Sequence, residues 1–183
     1  MWNTRTATLI GILLAAVVVR LLPHPPNFVP IGAMALFGGA MFANRRAAFL
    51  LPLAVMLVSD LLLGALVYGR SVLWGMPFVY TGFLVYVALG RLVRRRITPL
   101  RVGGAALTGS VAFFIITNFG TWLRGTLYPM TWEGLVACYT AAIPFFRHTI
   151  AADLFYSAVL FGGFALAQRY ITALHETPAH QVA

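Results

Sequence analysis

The feature that most constrains this chain is a series of apolar stretches, each about as long as a membrane-crossing helix, separated by short turns rich in proline or arginine. Hydrophobic residues make up 61% of the 183 residues and charged residues only 9%. A soluble domain of this size could not hide so much apolar surface from water. We therefore predict an all-α integral membrane protein, a bundle of six transmembrane helices. The predicted spans are residues 7–22, 28–43, 47–68, 74–93, 103–123 and 149–167.

The two ends of the chain and the last connection carry weaker signals. The apolar run 9–19 resembles a signal peptide, but no small-residue cleavage site precedes the prolines at 25 and 26, so we expect a retained first span. Residues 131–146 are amphipathic, which favours a short interfacial helix between spans five and six. Residues 1–170 then form one transmembrane domain, and residues 171–183 form a polar, flexible cytoplasmic tail.

Arginine positions predict the orientation, because cytoplasmic loops of membrane proteins are enriched in basic residues. With both termini inside, nine arginines lie on the inner side and four on the outer side. The inner set is Arg5, Arg45, Arg46, Arg91, Arg94, Arg95, Arg96, Arg101 and Arg169; the outer set is Arg20, Arg70, Arg124 and Arg147. An N-in, C-in protein of a bacterial inner membrane is the topology that these counts favour.

The net charge of +9 would suggest nucleic acid in a soluble protein. Here the arginines cluster at span ends, where they meet lipid head groups, so we expect a lipid bilayer and no nucleic acid as partner. The single cysteine, Cys138, excludes an intrachain disulfide and a CxxC motif, and we interpret it as a packing residue. No cofactor and no metal are expected.

Polar residues at membrane depth are costly and mark functional sites by default. In the predicted topology they gather in the outer half of the bundle and on the connection above it, while the inner half holds little beyond Thr108 and Ser110, whose hydroxyls can bond their own helix. This asymmetry predicts a polar cavity that is open to the outside and binds a small molecule. The predicted substrate-binding residues are His24, Asn27, Phe28, Asp60, Tyr80, Asn118, Trp122, Tyr128, Tyr139, Phe145, Arg147, Asp153 and Tyr156.

Structural roles compete with binding for several of these residues. Arg20 and Arg147 could pair with Asp60 and Asp153 and so fix helix positions. Asn118 could bridge two helices. Tryptophan and tyrosine residues near span ends could belong to an aromatic belt, which is the better interpretation for Trp132.

A face of small residues, Ala35, Gly39 and Ala43, follows a four-residue spacing on span two. Such a face lets another helix approach closely, which drives helix association in lipid. Ordinary packing inside the bundle explains the pattern as well as a partner does.

Several motifs carry a resemblance that extends from residue 26 to about residue 163. They are PNFVPIGAMALFGGAMF, SDLLLG, FFIITNFGTW, YPMTWEGLVACYTAAIPFF and DLFYSAVLFGG. Together they resemble a family of small bacterial membrane proteins that is similar to the substrate-binding S components of energy-coupling factor vitamin transporters, nearest to the solitary cobalamin type.

The resemblance implies six helices with both termini inside, a vitamin site under the outer loops, and an energy-coupling membrane subunit with ATPases as partner. It would make Ala35, Gly39 and Ala43 a partner-docking face, although that motif is usually described in the first span. The chain departs from the cobalamin type at residues 74–80, where no cysteine is available as a cobalt ligand.

We therefore expect a membrane component that binds and takes up a small micronutrient, a vitamin or precursor. The sequence contains no Walker motif, so ATP hydrolysis would come from a partner. A stand-alone proton- or ion-coupled carrier that uses Asp60 or Asp153 is the alternative. An intramembrane enzyme with these aspartates as a proton-sharing pair is a third, but no GxSxG or HExxH motif accompanies them, and we expect no enzyme.

Overall fold

The computed structural model describes residues 4–65 and 76–175, and every regular element within those ranges is helical. Six α-helices follow one another and are succeeded by a 3-10 turn, Thr172–Leu174. The prediction of an all-α chain is therefore confirmed. The helices are α1 (Thr4–Leu21), α2 (Ile31–Met41), α3 (Arg45–Leu63), α4 (Met76–Val93), α5 (Pro99–Leu123) and α6 (Trp132–Tyr170).

Five of these helices, all except α2, are long and apolar enough to cross a membrane. Their outer faces expose large hydrophobic side chains, such as Leu50 at 63% and Leu92 at 66%. In water such a surface would be an aggregation hazard, whereas lipid solvates it. The chain is a multi-pass membrane protein.

The second helix is shorter than predicted and lies inside the bundle. It covers 11 residues instead of the expected 28–43, and all of them except Ile31 are buried. At 1.5 Å per residue it is about 16 Å long, about half the thickness of a bilayer core. Pro30 ends the irregular segment before α2, and extended backbone at Phe42 stops the helix. It is a buried half-length helix around which the others pack.

Helices α2 and α4 approach each other through glycines. A β-carbon on Gly39 would overlap the Val87 carbonyl oxygen, and one on Gly90 would overlap the Leu36 carbonyl oxygen. Ala35 is also buried, whereas Ala43 lies exposed beyond the end of α2. Gly39 of the small-residue face proposed for partner docking is thus covered by this chain's own α4, and Ala35 is buried with it, which agrees with the internal-packing alternative for these two residues.

Arginines from the end of α4 cap the C-terminus of α2. Arg91 Nη1 donates to the Phe42 carbonyl at 2.8 Å, and Arg94 Nη1 donates to the carbonyls of Ala40 at 2.9 Å and Met41 at 3.3 Å. The last carbonyls of a helix have no intrahelical partner and carry its negative dipole end, so cations stabilise them. These arginines of the predicted basic loop therefore also hold the core helix in place.

The prediction of a separate interfacial helix at 131–146 is wrong, because α6 runs without a break over 39 residues. Its length of about 58 Å exceeds the bilayer core of about 30 Å. Pro144 lies inside the helix but does not end it. Contacts to α5 hold the first half of α6 in line: Tyr139 donates to the Ile115 carbonyl at 2.6 Å, and the rings of Phe114 and Phe146 lie 4.5 Å apart.

Smaller differences concern the connections. The predicted basic turn at 44–46 is instead the start of α3, since the Asn44 side chain accepts from the amides of Arg46 and Ala47 and so caps the helix. The start of the predicted tail packs against the bundle, where Arg5 Nε donates to the Leu174 carbonyl at 3.0 Å. The predicted turn at 69–73 and residues 176–183 lie outside the described residues.

Candidate functional site

A cavity of about 520 Å³ opens between the helices at the end of the bundle where α1 ends and α2 begins. Its wall contains aromatic and aliphatic side chains together with two charged ones, Arg20 and Asp153. A concave, largely apolar site with a few polar groups is the usual form of a small-molecule site. The lining residues are Arg20, His24, Pro26, Asn27, Val29, Ile31, Gly32, Met56, Leu63, Val79, Phe83, Tyr86, Phe113, Thr149 and Asp153.

The irregular segment 22–30 forms one lip of the cavity. Asn27 adopts a left-handed backbone conformation with φ of 62°, which asparagine tolerates better than most residues. The segment is fixed from two sides, because the ring nitrogens of His24 lie 3.2 Å from the Arg20 carbonyl and 3.0 Å from the Pro25 carbonyl, and His148 Nδ1 lies 3.0 Å from the Pro26 carbonyl. The sequence placed both histidines at this end, and the structure makes them anchors of the lip.

Asp153 lies at the inner end of the cavity and is 2% exposed. Its Oδ2 accepts hydrogen bonds from the Tyr86 hydroxyl and from Ser110 Oγ, the latter at 2.6 Å. The amide of Ala33, in the first turn of α2, also faces the carboxylate. A helix N-terminus carries a positive partial charge, so the carboxylate is placed where α2 stabilises it.

Gly32 makes this approach possible. A β-carbon there would overlap Asp153 Oδ1 and lie 2.7 Å from Cζ of Tyr86. Only glycine leaves room for the carboxylate and the phenol to meet at the start of α2. Gly109 has the same role on α5, since its β-carbon would overlap the Tyr86 ring.

Asp60 belongs to a second network on the same side of the bundle. Arg20 Nη2 lies 2.6 Å from Asp60 Oδ1, Arg20 Nη1 donates to Ser59 Oγ, and Tyr80 donates to Asp60 Oδ2 at 2.9 Å. The structural alternative of an Arg20–Asp60 ion pair is therefore the one that the structure shows. A buried carboxylate with a bonded guanidinium is compensated in charge as well as in hydrogen bonds.

The corresponding pair of Arg147 with Asp153 does not form. Arg147 is exposed on α6, and Asp153 has no basic partner in the part of the chain that the structure describes. The aspartates at 60 and 153 share no hydrogen-bond partner, so they do not form the proton-sharing pair considered for an enzyme.

Of the predicted binding residues, His24, Asn27 and Asp153 line the cavity, and Asp60 and Tyr80 adjoin it through Arg20. Phe28 and Tyr156 pack on each other beside the lip, with ring centroids 5.6 Å apart. The cavity wall therefore takes predicted residues from segment 22–30 and from α6, and predicted residues of α3 and α4 lie directly behind it.

The remaining predicted residues lie away from the cavity, on the α5–α6 pair. The amide of Asn118 bonds its own helix at the Phe114 carbonyl, and Trp122 Nε1 donates to the carbonyls of Pro129 and Thr131. Tyr139 bonds the backbone of α5, as described above. Tyr128 is half-buried in the connection, while Phe145 and Arg147 are exposed. Trp122 therefore holds the connection onto the end of α5, and Tyr139 holds α6 against α5.

Sequence reasoning missed Tyr86, Ser110 and Gly32. Tyr86 lies in the middle of an apolar span, and the Ser110 hydroxyl lies 3.0 Å from the Ala106 carbonyl of its own helix, so its position in the sequence indicates a local bond and not a site. One signal was available: Tyr80, Phe83 and Tyr86 recur at three-residue spacing and so share one face of α4. Because Tyr86 shares this helical face with Tyr80, it could have been predicted to lie near the same cavity.

Comparison with known proteins shows a family. A model of a family of unknown function, DUF6580, matches residues 1–174, and the chain belongs to this family. No curated protein and no solved structure was found to match. The family description names no activity, so the similarity to S components stays an expectation.

Proposed function

We propose that this protein is a membrane-embedded solute-binding and uptake component for a small micronutrient, a vitamin or vitamin precursor. The observation that carries the proposal is the cavity of about 520 Å³, which combines an aromatic wall with buried charged groups. That volume lies within the range of about 300 to 1,000 Å³ that is usual for small-molecule sites.

The short second helix supports an aqueous cavity at membrane depth. If all six helices cross, with both termini inside, α2 covers about half of the bilayer core and segment 22–30 must cover the rest. Irregular backbone is tolerated at that depth only where protein buries it or water reaches it. Segment 22–30 lines the cavity, so its polar backbone is satisfied there.

The orientation and partners follow from the sequence. The excess of arginine at the opposite end of the bundle favours a cavity that opens outward in a bacterial inner membrane. The similarity to S components favours an energy-coupling subunit with ATPases, and docking would use a surface other than the buried Ala35 and Gly39. The missing cysteine at 74–80 leaves the vitamin itself open to test.

Thermal-shift titration of the detergent-purified protein with vitamins and their precursors tests this proposal. We expect at least one compound to raise the melting temperature saturably. Thr149 lines the cavity one turn before Asp153 on the same face of α6, so Thr149→Trp fills the cavity and abolishes the shift.

Thr108→Trp is the matched control. Like Thr149, Thr108 donates its hydroxyl to a carbonyl four residues earlier, but its side chain is exposed on α5. Ligand-induced stabilisation that persists in Thr149→Trp would place binding elsewhere and contradict the proposal.

A second candidate is a stand-alone carrier coupled to protons or ions, and one observation favours it. Asp153 is a buried carboxylate at membrane depth that no arginine neutralises within the described residues, which is a common property of coupling sites. We assign the role of coupling site to Asp153 and not to Asp60, because Asp60 is paired with Arg20. Uptake into liposomes by the purified chain alone, driven by an ion gradient and lost in Asp153→Asn, would support the carrier over the partnered component.

A further inference from the structure

We infer that the ligand of this cavity is a small organic monocation, whose protonated amine or amidine pairs with Asp153 while its apolar body lies against Phe83 and Phe113. The inference rests on the proposed function and specifies the chemistry of its substrate. Three observations carry it: the charge balance of the cavity, the way in which Asp153 is partnered, and the nature of the opposite wall.

The charge balance is negative although the protein as a whole is strongly positive. The ionisable groups in or directly behind the wall are Arg20, Asp60, Asp153 and His24, and their charges sum to −1 when both acids are ionised and His24 is neutral. Arg20 is committed to Asp60 at 2.6 Å, so the uncompensated charge is that of Asp153. Within the described ranges no further arginine or acid lines the cavity.

The partners of Asp153 leave room for one more donor. Tyr86 and Ser110 both donate to Oδ2 and the Ala33 amide faces the carboxylate, whereas Oδ1 lies beside Gly32, which itself lines the cavity and has no side chain to cover the oxygen. An ionised carboxylate has about four acceptor positions. Hydroxyl donors and a helix N-terminus stabilise the anion but do not neutralise it, and a ligand cation supplies the missing charge.

The rest of the wall requires an organic body on that cation. Val79, Phe83 and Phe113 form an apolar side of the cavity, and the rings of Phe83 and Phe113 lie 5.4 Å apart. Aromatic faces attract cations and pack well on flat or apolar groups. A bare metal ion would leave this wall and most of the 520 Å³ unfilled.

Matched pairs of probes test the inference without the natural ligand. Each pair has one shape and differs in charge: benzylamine with benzyl alcohol, benzamidine with benzamide, and tryptamine with tryptophol. Benzoate and sodium chloride complete the set. Thermal shift and equilibrium binding are measured on the whole purified protein at one ionic strength. We expect saturable binding by the cations, each at least about 10-fold tighter than its neutral partner, since a charge-assisted hydrogen bond contributes about that much.

Asp153→Asn is the variant that isolates the carboxylate. It keeps the shape of the side chain and one acceptor oxygen for Tyr86 and Ser110, replaces the other oxygen by an amide donor and removes the charge, so the preference for cations over neutral partners is expected to disappear. Ser157→Ala is the control: Ser157 is buried one turn later on α6, its hydroxyl has no hydrogen-bond partner among the residues that the structure describes, and it does not line this cavity. The comparison within the wild-type protein needs no variant, so it decides the matter even if Asp153→Asn does not fold.

Three results would overturn the inference. Binding of a neutral or anionic probe as tightly as its cation, blocked by Thr149→Trp, would leave the proposed function standing and remove the charge selectivity. Stabilisation by sodium alone, with no response to any organic cation, would instead support the ion-coupled carrier. Failure of every organic probe, together with failure of the vitamin panel, would reject both the inference and the proposed function.

Discussion

The phenolic hydroxyl of Tyr86 donates a hydrogen bond to the carboxylate of Asp153, and this contact joins the middle of α4 to the middle of α6 directly at the start of α2. Both residues are almost fully buried and both line the cavity. The same contact therefore stabilises the bundle and sets the polar end of the candidate binding site.

Tyr86→Phe is expected to destabilise the protein by about 2 kcal/mol, because a buried charged acceptor loses one of its donors. Unfolding in mixed detergent–SDS micelles measures the change. Tyr139→Phe removes the same atom from a bond to a neutral backbone carbonyl, so we expect a smaller loss of about 1 kcal/mol or less. Equal losses of unfolding free energy in the two variants would show that the bond from Tyr86 to Asp153 stabilises the protein no more than a bond to a neutral carbonyl does.

The Arg20–Asp60 pair makes a prediction about non-additivity. Either Arg20→Met or Asp60→Leu alone leaves one buried charge unpaired and is expected to cost about 3 to 5 kcal/mol. The double variant removes both charges and is expected to recover most of that loss. A double-mutant cycle on unfolding free energies measures the coupling, and simple addition of the two single losses would contradict a compensated ion pair.

The close contact between α2 and α4 can be tested by making the same Gly→Ala substitution at a packed glycine and at an open one. Gly39→Ala places a methyl group against the Val87 backbone, which cannot rotate away, so we expect a loss of about 1 to 3 kcal/mol. Gly103→Ala meets no atom within 4 Å and is expected to gain up to about 1 kcal/mol through helix propensity. A gain at both positions would show that the two helices lie further apart than this packing requires.

Trp122 provides a test that separates support of the α5–α6 connection from ligand binding. Trp122→Phe removes both hydrogen bonds to that connection, so its amides at 124–131 are expected to exchange faster with deuterium. The affinity of a cavity ligand is expected to stay unchanged, because Trp122 does not line the cavity. A large loss of affinity would favour the sequence-based prediction that this tryptophan binds the ligand.

The sequence predicted the helical class and four of the six helix positions closely, because long apolar runs have few alternatives in a membrane. It overestimated the length of α2. The residues on both sides of this helix are apolar and look like part of the span, but the helix begins after Pro30 and ends before Phe42. The prediction also divided α6 at the polar residues 147 and 148, where contacts of Tyr139 and Phe146 with α5 keep the helix continuous.

The candidate site was predictable where polarity alone marks it. Asp60 and Asp153 stand out as acids in apolar spans, and His24 and Asn27 follow a proline break. The sequence could not show which aspartate is paired, because both Arg20 and Arg147 lie near the outer end of a predicted span and either could reach an acid. Only the packing of α1 on α3 brings Arg20 to Asp60. Tyr86 and Gly32 were missed because their importance comes from an approach between helices that no local pattern records.

Native mass spectrometry of the protein extracted from its own membranes is the decisive test of a solute site in this cavity, since it detects any bound small molecule by its mass, whatever its chemical identity. We expect a discrete adduct on the wild-type protein and on Thr108→Trp, and no adduct on Thr149→Trp, where the cavity is filled. No adduct on any of the three proteins, or the same adduct on Thr149→Trp, would contradict a solute site in this cavity.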